Sequence, residues 1–181
     1  MERESLLGSA YKRQAMIDAA AGGAGQEEAA LAAMRLHYEK AERLGREGEV
    51  PDLFYPSLNR LAGDIVCEAG PLELNGPAVD AIRQSLEKKI REDPDFWSVV
   101  GQTELCVYEA MAAGAVERAL PGLIAEYEDL HARVSAPGMW SSVYDQARLV
   151  FPKYIERASA AERAAAASLL SLLQSWAAPA R

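Results

Sequence analysis

The sequence has a single threonine, Thr103, with only 10 valines and 6 isoleucines, so the β-branched residues that favour strands are scarce. Cysteine and histidine occur twice each. Cys67 and Cys106 are too few and too far apart for a disulfide framework and are read as two reduced thiols on helix faces. His37 and His131 lie neither in an HExxH motif nor near a GxSxG serine, so zinc or serine hydrolysis lacks its ligands and its base. Positive charge is also short. The net charge is −8, and residues 1–95 carry 18 acidic against 12 basic side chains, which argues against a binder of nucleic-acid backbones. The densest basic cluster, Lys88, Lys89 and Arg91, is surrounded by Glu87, Glu92 and Asp93 and reads as a solvated helix end. No long hydrophobic run is present. The longest uncharged stretch, 17 residues between Arg163 and Arg181, is broken by serines, and is expected to be a packing helix, with no membrane partner. The opening MERESLLGSAYKRQ scatters its charges and has no apolar core of a secretory signal, so a cytoplasmic location is expected.

What the chain has in abundance is alanine, 34 residues of the best helix former. The expected fold is all-α, about eight antiparallel helices in four hairpins, as one domain over 1–181 with hairpins at about 1–48, 49–93, 94–135 and 136–181. Apolar periodicity predicts a first helix over about 4–21, with Leu6, Leu7, Ala10, Tyr11, Ala15 and Ile17 largely on one stripe, ended by AGGAG at 21–25. A second helix is predicted over 26–44. Asp52 is the expected N-cap of a third that ends near Gly70 and Pro71; Asn75 and Gly76 form a turn before a fourth helix opened by Pro77. Asp95 is the expected cap of a fifth. The sixth, over about 115–134, either starts near Leu120 or kinks at Pro121. The seventh spans about 139–157, and Ser159 with Glu162 forms a capping box for an eighth that ends near Ala178.

Three of the predicted odd-numbered helices open with an aromatic followed three residues later by an aliphatic: Tyr55 and Leu58, Trp97 and Val100, Trp140 and Val143, at intervals of 42 and 43 residues. In this register Tyr55, Trp97 and Trp140 are expected to be equivalent wedges between helix pairs, and Trp97, Trp140 and Trp176 to be core. Leu7-Gly8-x-x-Tyr11, Tyr38-x-x-Ala41 and Trp97-x-x-Val100-Gly101 resemble the tetratricopeptide repeat (TPR), and Pro94 sits where its inter-repeat proline would. The intervals exceed that repeat's roughly 34 residues and also fit a HEAT-like period of about 40–47. More loosely, LLGSAYKR and YPSLN are similar to the TPR-type regions of large bacterial proteins that carry caspase-like peptidase domains, and of apoptosis signal-regulating kinases.

The resemblance implies an α–α superhelix, a TPR-like solenoid with a concave groove, acting as a non-catalytic scaffold that binds a peptide, a partner domain or other domains of a larger assembly. Carried onto this chain, the groove positions are Ser9, Lys12 and Arg13, then Arg60 and Asp64, then Gln102, then Asp145 and Arg148. A terminal helix, the first with Leu6 and Ala10 or the last with its leucines, is the alternative interface and would give a homo-oligomer. No cofactor and no metal are expected. The competing readings are a helical-bundle metalloenzyme built on Glu128-x-x-His131, whose spacing puts both groups on one helix face, and a helical sensor that binds a small molecule in a closed pocket between hairpins.

Overall fold

The computed structural model describes residues 1–48, 50–67, 74 and 76–177. Among them are eight helices and no strand: α1 (Glu2–Ala20), α2 (Ala24–Glu47), α3 (Phe54–Cys67), α4 (Pro77–Glu92), α5 (Phe96–Ala112), α6 (Val116–Arg133), α7 (Pro137–Ile155) and α8 (Ala160–Ala177). Consecutive helices pair as four hairpins, and their contacts divide the chain into two units, α1–α4 and α5–α8, with the division between Pro94 and Asp95. The expected stop at Gly70 and Pro71, the Asn75 half of the turn and Ala178 lie outside the described residues.

In the first unit α1 packs on α2 through its smallest side chains. Ser5, Gly8 and Ala15 are its buried residues, and a Cβ added at Gly8 would lie 2.8 Å from the Tyr38 ring. The apolar stripe read from the sequence is split: Ala15 is buried and Leu7 half-buried, but Leu6 is 65% and Ile17 61% exposed, and Ala10 and Tyr11 are exposed as well. Close backbone approach decides the matter, because only the small face lets Tyr38 seat fully against α1. Gly22, at φ +74°, takes the left-handed turn that reverses the chain into α2. The α3 start is capped from a distance. The Phe54 N–H donates to Ser85 Oγ of α4 at 3.1 Å, while Asp52, the expected cap, faces Lys89 at 3.6 Å.

In the second unit Asp95 caps α5 as predicted. Its carboxylate accepts from the Ser98 N–H at 2.7 Å and its own N–H donates to Ser98 Oγ at 3.2 Å. The α6 helix is continuous from Val116 through Pro121. The box at the start of α8 forms only by half. Ser159 Oγ accepts from the Glu162 N–H at 3.2 Å, but the Glu162 carboxylate crosses to α6, where it accepts from the N–H groups of Val116 at 2.8 Å and Glu117 at 3.1 Å and from the Tyr154 hydroxyl. A side chain of α8 thus caps α6.

The three aromatic residues of the repeat register are not equivalent. Trp140 is fully buried, whereas Tyr55 and Trp97 are each 41% exposed. Phe54 and Phe96, their neighbours, take the inward places. Adjacent residues are about 100° apart on a helix, so one aromatic of each pair must face out; phenylalanine, with no polar atom to satisfy, goes in. Leu58, Val100 and Val143, the aliphatic members of the three pairs, are buried where the register puts them, so only the aromatic place moves, one residue back to Phe54 and Phe96. Trp176 is half-buried and packs edge to face on Trp140 at 4.8 Å. On α8, Leu169 and Leu173 are buried and Leu170 and Leu172 half-buried.

Candidate functional site

Within each unit side-chain contacts join the first helices of the two hairpins and follow the same order along both. Ser9 and Lys12 of α1 meet Tyr55 and Asn59 of α3 in that order, and Phe96 and Tyr108 of α5 meet Trp140 and Gln146 of α7. This is the arrangement that stacked hairpins require and the one from which a face lined by first helices is built.

In the first unit the α1/α3 seam gathers polar groups. Ser9 Oγ lies 3.0 Å from the Tyr38 hydroxyl and 3.2 Å from that of Tyr55. One turn on, Lys12 Nζ donates to Asn59 Oδ1 at 3.4 Å, and Asn59 Nδ2 donates to the Tyr55 carbonyl at 2.9 Å. Tyr38 and Asn59 are buried, Ser9 and Lys12 half-buried and Tyr55 exposed, so the cluster has a fixed floor and an accessible rim. Arg13 is exposed one turn beyond Ser9.

Arg60 and Asp64, the remaining predicted groove residues of this unit, face α2. Arg60 pairs with both Glu42 and Asp64; Arg35 Nε donates to Asp64 at 2.6 Å, and Arg46 Nε to Glu42 at 3.1 Å. With Glu42 only 6% exposed, this is an ion-pair ladder that joins α2 to α3. Asn59, not Arg60, meets Lys12, because Asn59 lies one turn beyond Tyr55 on the same face of α3. Tyr55 and Asn59 are the seam residues that the groove assignment from the sequence omits.

In the second unit Gln102 on α5 and Asp145 and Arg148 on α7 are exposed, and the Arg148 guanidinium lies 6.0 Å from the Tyr144 ring. Beneath the surface Tyr108 donates to Glu104 and accepts from Gln146 Nε2 at 2.9 Å. Burial first, then the Glu104 charge, pushes the Tyr108 hydroxyl well above its ordinary pKa; burial does the same to Tyr127. Both remain neutral, and Tyr108 donates to Glu104. With Val143 and Phe151 they line a cavity that has room for about one water molecule, far below a small-molecule pocket.

Both histidines are held by neighbouring aromatic rings. His37 stacks on Tyr11 at 5.4 Å and its Nδ1 donates to Glu4 at 2.8 Å, a hydrogen bond that holds the Glu4 carboxyl below its ordinary range. His131 stacks on Trp176 at 4.3 Å, while Glu128 is exposed. Among the described residues no three histidine, cysteine or acidic side chains converge as metal ligands, and no helix is long and apolar enough to cross a membrane. Cys67 is exposed and Cys106 half-buried. In the basic cluster Lys89 pairs with Asp93 at 2.6 Å and Arg91 with Glu92 at 3.6 Å.

Comparison of the chain with protein-family models, with curated proteins and with solved structures finds no match.

Proposed function

We propose that the chain is a non-catalytic, TPR-like interaction module of the cytoplasm that binds a peptide segment of a partner protein over the α1/α3 face of its first unit. The observation that carries this reading is the convergence of Ser9, Lys12, Tyr55 and Asn59 from helices of two different hairpins. Hydroxyl, ammonium and amide groups side by side can hydrogen-bond a peptide backbone and its acidic side chains, and the rim aromatic Tyr55 adds contact area at small entropic cost. Gln102, Asp145 and Arg148 offer a similar polar surface on the first helices of the second unit.

The test is selection from a displayed peptide library, followed by fluorescence polarisation with the selected peptides. Lys12→Ala and Tyr55→Ala are each expected to weaken binding by roughly ten-fold, about 1.4 kcal/mol, with unchanged far-UV circular dichroism. Failure to select any peptide, or binding indifferent to both substitutions, rejects this face. Arg60 is unsuitable as a probe because its removal also breaks the α2/α3 ion pairs.

A further inference from the structure

A different face of α1 carries a second surface. Arg3, Leu6, Ala10, Arg13, Ile17 and Ala20 alternate in steps of three and four, and all six are exposed. That spacing is the 3.5-residue seam by which one helix receives another, with knobs at the long side chains and holes at the alanines. The seam runs about 26 Å, close to five turns, at 1.5 Å per residue. Among the described residues seven large hydrophobic side chains are exposed, and five, Leu6, Tyr11, Ile17, Leu36 and Leu44, are on α1 and α2. Apolar exposure concentrated in one hairpin marks an interaction surface more than scattered exposure would.

The charges within the seam select its occupant. Arg3 and Arg13 stand in the apolar row itself; Arg3 feels the charge of Glu4, whose carboxylate is held by His37, and among the described residues neither arginine is drawn off the row into an ion pair. A second copy of α1 fits poorly. Parallel pairing sets each arginine against itself. Antiparallel pairing that opposes Leu6 to Ile17 leaves the two Arg13 side chains about 4.5 Å apart along the axis, with no acid between them. A helix with aliphatic residues opposite Leu6 and Ile17 and carboxylates opposite Arg3 and Arg13 satisfies both features at once. We propose that the exposed face of α1 docks an acidic amphipathic helix of a partner protein. The proposal stands apart from the α1/α3 reading, because Leu6 and Ile17 take no part in that seam.

The test uses a labelled synthetic helix of about six turns with leucine along its seam and glutamate at the two positions facing Arg3 and Arg13, and a second probe with lysine at those positions. The glutamate probe is expected to bind the intact chain at least about ten-fold more tightly than the lysine probe. Leu6→Asp with Ile17→Asp should abolish binding at unchanged helicity. Arg3→Glu with Arg13→Glu, which leaves the apolar contacts in place, should reverse the preference between probes. Equal binding of the two probes, no binding of either, or binding that survives the double aspartate variant overturns the proposal. So does concentration-dependent self-association, seen by sedimentation, that the aspartate variant removes, for then a second copy covers the stripe. Loss of probe binding with Lys12→Ala alone would place the probe on the α1/α3 face and also refute the α1 stripe, without bearing on peptide binding at that face.

Discussion

Glu162→Gln removes the charge with which α8 caps the start of α6. The two carboxylate oxygens accept from the N–H groups of Val116 and Glu117 and from the Tyr154 hydroxyl, and Glu162 is only 8% exposed. Glutamine keeps the volume but turns an NH₂ group toward a site occupied by donors, so at least one buried N–H or hydroxyl loses its acceptor. A hydrogen bond to a charged group contributes about 1.5–3 kcal/mol and an orphaned buried donor costs about 1–3 kcal/mol. An anion at a helix N-terminus adds about 0.3–1 kcal/mol. These contributions overlap, and a net loss of about 3 kcal/mol is expected, which lowers the melting temperature of a chain this long by roughly 6–12 °C. The assay is urea unfolding followed by far-UV circular dichroism at pH 7, with Tyr154→Phe as the partial variant.

The pH dependence gives the same experiment a second reading. Burial pushes the Glu162 carboxyl up, but the Tyr154 hydroxyl and the two backbone N–H groups pull harder, and the net result lies below the ordinary 4.5. A depressed carboxyl contributes stability that is present above pH 4.5 and fades as the pH falls through the folded value. The gap between parent and Glu162→Gln should therefore narrow below pH 4.5. A loss under about 0.5 kcal/mol at pH 7, or a gap constant down to pH 3, refutes the capping argument.

Gly8→Ala has two opposing effects whose sum is decided by the Tyr38 ring. Alanine gains about 1 kcal/mol of helix propensity, but its Cβ would sit 2.8 Å from ring carbons that have no room to retreat, since Tyr38 is fully buried. A net destabilisation of about 1–2 kcal/mol is expected in urea unfolding, and a stabilised variant would show that α1 is not seated as described. Trp140→Ala should cost about 3–5 kcal/mol, and Trp97→Ala less than about 1 kcal/mol, because only the first ring is enclosed; equal losses would restore the equivalence that the repeat register implies.

The helices were legible because their signals are local. Asp95 and Pro77 each mark a start within a few residues, and periodicity carries the rest; α7 opens at Pro137, two residues before the expected 139. Where a long-range partner decides, local signals mislead. The cap of α3 comes from Ser85, 31 positions away, so Asp52 looked like the cap and is not. The inner face of α1 is its small one because Tyr38 approaches it, and no count of apolar residues on α1 alone contains that fact. At the site, Ser9 and Lys12 lie in the α1/α3 seam, but Arg60 and Asp64 go to α2, where Glu42 and Arg35 supply the opposite charges. The aromatic doublets Phe54-Tyr55 and Phe96-Trp97 carried the missing signal: the nonpolar member goes inward, and the polar Tyr55 is left on the face it shares with Asn59.

The cap on α6 also fixes an order of events during synthesis. Val116 leaves the ribosome 46 residues before the carboxylate that receives its N–H, and α7 must be made in between. Until α8 emerges, the first turn of α6 has water as its acceptor and frays accordingly. Nascent chains that end before residue 162 should hold α5 and most of α6 but release the start of α6, so the second unit completes itself only when its last helix arrives.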